Sequence, residues 1–183
     1  MSFQFKQFSV KQEQSAMKIG TDSVLLGAWT PLEQPQSILD IGAGTGLLAL
    51  MLAQRCDALT IDAVEIDEHA YIECTENFEA SPWGDRLFCY HASFEEFFTE
   101  MDEPYDLIIS NPPFYPTDYK TPEKARNTAR FSDALPPKQL LEGVNRLLAV
   151  EGKFSVILPY TESESFITLA ATFGLFPQQI THT

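Results

Sequence analysis

The stretch SILDIGAGTGLLALMLA, residues 37–53, decides the fold of this chain. Its first five residues have the apolar character of a buried strand, the turn Gly42–Gly46 follows, and residues 47–53 are apolar, as in a mostly buried helix. This order lets a nucleotide-like ligand approach the backbone closely. The spacing G-x-G-x-G is neither that of dinucleotide enzymes nor that of the P-loop. Asp40 would suit a cationic ligand, although a tight βα turn explains the glycines equally well.

A second strand, residues 60–64, ends in Glu65. Glu65 follows Gly46 by 19 positions, close to the distance at which an acid at the end of the next strand commonly accepts hydrogen bonds from ribose hydroxyls. Taken alone, Glu65 is equally well explained as a solvated loop acid. Together with the glycine-rich turn it favours a nucleoside site.

Residues 105–110 form an apolar strand that runs into Asn111-Pro112-Pro113-Phe114. The prolines stop the strand and hold Asn111 in an extended conformation at its carboxyl end. Asn111 offers a carbonyl acceptor and an amide donor, and Phe114 offers a flat apolar face. This set suits a planar group that carries an NH₂; the structural alternative is a rigid turn with a core phenylalanine.

Strands alternate with helices from Ser37 to Phe173, which predicts an α/β fold with a parallel sheet. The other predicted strands are residues 87–90 and 153–158, and the other predicted helices are residues 68–78, a helix through 97–98 capped by Ser93, 138–148 and 162–173. The carboxyl ends of parallel strands share one rim, so Gly42–Gly46, Glu65, Ser93 and Asn111 are expected to line one cleft.

Residues 1–30 are predicted to form an appendage that packs near this cleft, and residues 31–183 the main domain. Phe3-Gln4-Phe5-Lys6 resembles a short edge strand. Thr21 or Asp22 is a candidate N-cap for a helix that ends at Trp29 before Pro31.

The composition bounds the function. With 183 residues, 44% of them hydrophobic, the chain fits one globular domain. The net charge of −14 would repel the phosphates of a nucleic acid. However, four of the 12 Lys and Arg residues fall within residues 120–130, which makes a local basic patch. The three cysteines and three histidines are dispersed, so we expect neither disulfides nor a metal site, and a reducing cytoplasm. No apolar run is long enough to predict a membrane span.

These motifs resemble those of the class I S-adenosylmethionine-dependent methyltransferases, whose doubly wound, Rossmann-like sheet would cover residues 37–160. Asp40–Gly46 resembles their cofactor loop, Glu65 their ribose-binding acid, and Asn111–Phe114 the signature of enzymes that methylate planar exocyclic nitrogens. Residues 18–29, together with Ala129-Arg130, are similar to the family of tRNA1(Val) adenine-N6 methyltransferases, which act on the adenine beside the anticodon.

The resemblance implies S-adenosyl-L-methionine as cofactor, tRNA as partner, a monomer, no membrane and no metal. The implied catalytic residues are Asn111, Pro112 and Phe114. The implied cofactor-binding residues are Lys18, Thr21, Asp40, Gly42, Gly44, Gly46, Glu65, Ile66, Ala92, Ser93 and Asn111. The implied substrate-binding residues are Phe114, Tyr115, Lys120, Lys124, Arg126 and Arg130.

The sequence departs from the class where an acid after the third strand usually holds the cofactor's adenine; His91-Ala92-Ser93 stands there, and the backbone of Ala92 or the side chain of Ser93 is the expected substitute. Other substrates also stay open: guanine N2 in ribosomal RNA, or a protein glutamine. The non-enzymatic alternative is a cofactor-binding scaffold in a complex.

Class I methyltransferases typically carry seven strands, but five are countable here. Leu175–Thr181 could begin a sixth. An uncovered apolar strand Phe154–Leu158 would be an aggregation liability, so we expect either a longer natural protein with a further strand hairpin, or a partner or the segment Phe3–Lys6 paired with that edge.

Overall fold

The computed structural model describes residues 2–15, 18–113 and 135–183. Two short strands, β1 (Ser2–Gln4) and β2 (Ser9–Lys11), form an antiparallel pair near the N-terminus. The remaining strands are β3 (Ser37–Ile41), β4 (Thr60–Glu65), β5 (Leu87–His91), β6 (Tyr105–Ser110) and β7 (Leu148–Val156). The helices are α1 (Thr21–Trp29), α2 (Leu47–Arg55), α3 (Glu68–Glu79), α4 (Phe94–Glu100), α5 (Pro137–Leu147) and α6 (Tyr160–Thr172).

Strands β3 to β7 form a parallel sheet in the order β5-β4-β3-β6-β7. The glycine-rich turn leaves the central strand β3, and the chain crosses to the other side of β3 between β5 and β6. This reversal is the point at which open α/β sheets place their ligands. The predicted doubly wound α/β fold is therefore confirmed.

The sheet is buried on both faces, because successive residues of its central strands enter two different clusters. Ile38, Leu107 and Ile109 pack with α2 and α3, whereas Leu39 and Ile108 pack with α4, α5 and α6. Since alternate side chains of a strand point to opposite faces, a continuous apolar run is needed to fill both layers. This explains why β3 and β6 lack the alternation of a half-exposed strand.

The first 30 residues pack on the same core through Phe8, Val10 and Leu26. Two buried polar residues of α3 hold this segment. The carboxylate of Glu73, 2% exposed, accepts hydrogen bonds from the backbone N–H groups of residues 13–15. Burial by itself would raise the pKa of Glu73, but these donors outweigh it and lower the pKa. Asn77 bonds both backbone groups of Lys11.

Several predicted details at the N-terminus were wrong. The N-cap of α1 is Gly20, because Thr21 and Asp22 already lie in the first turn, and no side chain caps this end. The predicted strand Phe3–Lys6 is shorter and earlier, and it pairs with β2 rather than with the edge of the large sheet, because the chain reverses at once and closes a local hairpin.

At the other end, Leu175–Thr181 forms no strand. Strand β7 begins at Leu148, five residues before the predicted start, because an irregular register opposite Tyr105 and Leu107 lets the extended chain join the sheet early. Among the described residues, β7 is hydrogen-bonded to β6 alone. The expectation of a longer natural protein stays a prediction.

Candidate functional site

The turn Gly42–Gly46 contains two kinds of glycine. All three glycines have positive φ angles, which L-residues with a side chain rarely adopt. A Cβ on Gly46 would lie 2.5 Å from Phe78 and 2.8 Å from Cys74, so this glycine permits close packing against α3. A Cβ on Gly42 or Gly44 would meet no atom within 4 Å. Among the described residues, the backbone of exposed Gly42 and of half-buried Gly44 therefore borders open space that a ligand can occupy.

Asp40, fully buried in β3, supports the helix that follows the turn. Gly46 has no side chain to cap α2, and Asp40 Oδ2 accepts a hydrogen bond of 3.2 Å from the backbone N–H of Ala49 instead. Among the described residues, the other oxygen, Oδ1, has no hydrogen-bond partner. Burial raises the pKa of Asp40 to about 7, and the nearby carboxylate of Glu65 adds to this shift.

Glu65, 8% exposed, closes the turn from the neighbouring strand β4. Its Oε2 accepts a hydrogen bond of 2.7 Å from the backbone N–H of Gly44, and its Oε1 accepts one of 2.9 Å from the backbone N–H of Asp67. A carboxylate oxygen has two lone pairs, so each can accept a further hydroxyl donor. Glu65 therefore shapes the turn and remains able to bind a ligand.

The rim continues along β4 and β5. Ile66 exposes 48% of its surface beside Glu65, although it is apolar, and its carbonyl contacts His91 Nε2 at 3.1 Å. The backbone N–H of Ala92 donates to the carbonyl of Glu65. Ser93 is the N-cap of α4, as predicted, in a reciprocal capping box with Glu96. The hydroxyl and backbone N–H of Ser93 are both engaged with Glu96.

Asn111 leaves the sheet directly beside the glycine-rich turn, because Ser110 and Ile41 are paired in register. The buried hydroxyl of Ser110 donates to the carbonyl of Ile41 at 2.9 Å and ties the two strand ends together. Pro112 is buried and fixes the next step of the chain. The Asn111 side chain points to α1, where its Nδ2 donates to Ser23 Oγ at 2.7 Å.

Lys18 and Thr21 lie on the segment that leads into α1. The ammonium of Lys18 donates to the carbonyls of Gln12, Glu13 and Ser15, so in this structure it organises the preceding turn. Thr21 is exposed at the start of α1. The role of both residues toward a ligand stays a prediction.

The structure thus brings Asp40, the glycines, Glu65, Ala92 and Asn111 to one rim, as the strand order requires. The predicted residues Phe114, Tyr115, Lys120, Lys124, Arg126 and Arg130 lie outside the described residues. Sequence reasoning missed the hydrogen bonds of Ser23 with Asn111 and of Ser110 with Ile41, because no local sequence pattern indicates them. The support of α2 by Asp40 could have been predicted, since Gly46 has no side chain to cap the helix and its free N–H groups need an acceptor from elsewhere.

A model of the methyltransferase small domain matches residues 14–169. The chain belongs to this methyltransferase family. It is 61% identical over 180 residues to a tRNA1(Val) (adenine(37)-N6)-methyltransferase of Flavobacterium psychrophilum, covering 98% of this chain and 77% of the relative. The enzyme of the same name from Bacteroides fragilis is 49% identical over 97% of this chain and 75% of its own length. The resemblance found in the motifs is therefore confirmed.

Solved structures show the same fold in other methyltransferases. A precorrin-6y C5,15-methyltransferase from Geobacter metallireducens superposes with a TM-score of 0.61 at 12% identity, covering 92% of this chain and 77% of the other. For a ribosomal protein L11 methylase from Lactobacillus delbrueckii the TM-score is 0.57 at 15% identity, with 82% and 65% covered. At such identities the similarity extends to the fold alone.

Two further properties bear on the site. Within residues 2–15, 18–113 and 135–183, no set of three His, Cys, Asp or Glu side chains is grouped so that it could hold a metal ion. No helix in this part of the chain has the length and apolar character needed to cross a membrane.

Proposed function

We propose that this methyltransferase binds S-adenosyl-L-methionine at the carboxyl ends of β3, β4 and β5. The buried oxygen Asp40 Oδ1, which has no hydrogen-bond partner within residues 2–15, 18–113 and 135–183, suits the cationic part of this cofactor. The open space over Gly42 and Gly44 admits a ligand against the backbone. Glu65 is placed to accept ribose hydroxyls, and the exposed side chain of Ile66 offers an apolar surface for adenine. Together, these features of the described residues suit the cofactor.

The proposed substrate is the N6 amine of adenine 37 in tRNA1(Val). The names of the relatives, up to 61% identical, support this choice. The observation that carries it in the structure is the carboxamide of Asn111, whose nitrogen is held by Ser23 while its oxygen, within the described part of the chain, accepts no hydrogen bond. An oxygen acceptor is what an exocyclic amine requires.

In this proposal the cofactor supplies an electrophilic methyl group on its sulfonium. Asn111 Oδ1 and the Pro112 carbonyl accept the two N–H hydrogens of the adenine amine. These bonds orient the nitrogen lone pair toward the methyl group and stabilise the positive charge that develops on nitrogen. The methyl group would form a bond to the amine nitrogen as its bond to sulfur breaks, and the amine would then release a proton to water.

The remaining assignments are proposals of the same kind. Phe114 and Tyr115 would stack on the extruded base, and Lys120, Lys124, Arg126 and Arg130 would contact tRNA phosphates. Lys18, Thr21, Ala92 and Ser93 would complete the cofactor site. Residues 1–30 would act as the appendage beside the cleft of residues 31–183, in a monomeric, cytoplasmic enzyme.

The test is transfer of labelled methyl from S-adenosyl-L-methionine to total tRNA, ribosomal RNA and protein in parallel. We expect label in tRNA, as N6-methyladenosine at position 37 of tRNA1(Val). Label in ribosomal RNA guanine or protein glutamine would replace the proposed substrate. Cofactor binding without transfer to any of the three pools would favour the scaffold alternative.

Asn111→Ala is the matched loss-of-function variant for this experiment. We expect its single-turnover rate to fall by about 100-fold or more, because one preorganised acceptor is removed. Cofactor affinity, measured by calorimetry, should stay nearly unchanged. A fall in rate of less than about fivefold would make Asn111 a structural residue.

A further inference from the structure

We propose that Ser23 is a positioning residue for methyl transfer. Its hydroxyl oxygen accepts a hydrogen bond from the amide nitrogen of Asn111 and thereby orients the carboxamide oxygen toward the amine that is methylated. The inference rests on the proposed function. The hydrogen bond from Asn111 Nδ2 to Ser23 Oγ measures 2.7 Å and joins residues 88 positions apart. It is a side-chain contact between α1 and the Asn-Pro-Pro turn.

A carboxamide needs such a partner because its two ends have nearly the same shape and opposite chemistry. Rotation of the terminal torsion by a half-turn exchanges an acceptor for two donors. Facing an amine that supplies N–H groups, Asn111 is useful in one orientation alone. The Ser23 oxygen accepts one N–H of the Asn111 nitrogen, so Oδ1 is left to accept an N–H of the amine.

Ser23 can act this way because α1 is fixed at its far end. Arg55 of α2 donates to the carbonyl of Gly27 at 2.6 Å and to that of Thr30 at 3.0 Å, which caps the last turn of α1. Gly27 itself permits close packing, since a Cβ there would lie 2.7 Å from Met51 Sδ. Ser23 lies one helical turn before Gly27, so it is presented by a rigid element.

The backbone of Asn111 is equally constrained. The Ser110 hydroxyl is bound to the carbonyl of Ile41, and Pro112 restricts the residue before it to an extended conformation. With both backbones held, the freedom that remains is the rotation of the carboxamide. In this proposal the bond from Nδ2 to Ser23 limits that rotation and leaves Oδ1 available before the substrate arrives.

The test measures single-turnover methylation of unmodified tRNA1(Val) by Ser23→Ala and Ser23→Thr. We expect the alanine variant to lose about 5- to 10-fold in rate, the effect of one hydrogen bond, and the threonine variant to recover most of it. Calorimetric affinity for the cofactor and thermal stability should match the wild type. The control is Ser165→Ala, which removes an exposed hydroxyl from α6.

A double-mutant cycle separates positioning from a general structural role. If Ser23 acts through Asn111, Ser23→Ala should change the rate less than about twofold in the Asn111→Ala background. If Ser23→Ala lowers the single-turnover rate of Asn111→Ala by the same factor as it lowers that of the wild type, the proposal is overturned. A wild-type rate in Ser23→Ala would also overturn it.

A readout without turnover keeps this result separate from failure of the proposed function. The side-chain amide signals of Asn111 in ¹⁵N spectra can be identified because they are lost in Asn111→Ala. The hydrogens that give these signals should exchange with water more slowly in the wild type than in Ser23→Ala. Equal exchange would overturn the role of Ser23 whatever the substrate. Slower exchange without methylation of tRNA would refute the proposed substrate alone.

Discussion

The carboxyl ends of β3 and β4 lie side by side, and each buries a carboxylate, but the two carboxylates have different partners. In the described part of the chain, Asp40 accepts one backbone hydrogen bond, on Oδ2, and its Oδ1 has no partner. Glu65 accepts a backbone hydrogen bond on each oxygen. Burial is similar, at 0% and 8% exposure.

This contrast indicates what each position is built to do. Glu65 is held in place before any ligand binds, so its interactions with a ligand need little reorganisation. Burial of the Asp40 carboxylate, with a smaller contribution from the nearby charge of Glu65, raises its pKa to about 7. A nearby cation would compensate both effects. The β4 end is thus preorganised, and we propose that the β3 end is completed by its ligand.

The largest effect is expected in the turn between these two ends. Gly46→Ala places a methyl group against Phe78 and Cys74 at a positive φ, so the free energy of unfolding should fall by about 2–5 kcal/mol in urea denaturation. Gly44→Ala meets open space and should cost about 1–2 kcal/mol from backbone strain alone. Its cofactor affinity should nevertheless fall by at least about tenfold. Equal losses of stability in both variants would contradict this division.

Removal of the preorganised carboxylate should weaken cofactor binding. Glu65→Ala would lose the proposed charged hydrogen bonds to the ribose and would release the backbone N–H of Gly44, so the free energy of cofactor binding should weaken by about 1–3 kcal/mol. Calorimetry with Glu68→Ala as control is the measurement, because Glu68 is an exposed acid in the next helix. Equal affinities of the two variants would remove Glu65 from the site.

The smallest effect concerns the pH dependence of Asp40. Because a cationic ligand favours the ionised carboxylate, affinity for the cofactor should rise with pH by about tenfold between pH 6 and pH 8, around the pKa of about 7. Asp40→Asn should abolish the dependence. In the ligand-free protein, the stabilising contribution of Asp40 is full below its ordinary pKa of 3.8 and is lost as pH rises through about 7. A flat affinity profile in the wild type would show that Asp40 does not face the charge.

Much of the fold was predictable from local patterns. The boundaries of β3 and β6 agree with the predicted ones, because apolar runs that end in glycine or proline leave little choice of register. The predicted cap Ser93 is also confirmed, since a capping box is encoded within four residues. The start of β7 was missed because a register irregularity depends on the neighbouring strand rather than on its own sequence.

The sequence by itself determined the order of the elements, the positive-φ turn at Gly42–Gly46 and the placement of Asp40, Glu65 and Asn111 at strand ends, because these follow from spacing along the chain. The tertiary structure alone decided which groups pair across it. Ser23 meets Asn111 over 88 positions, and Glu73 meets Ser15 over 58. The charge of Asp40 depends on burial and on Glu65. Hydrogen bonds and electrostatic interactions act through space, so their partners are set only when helices and strands have packed.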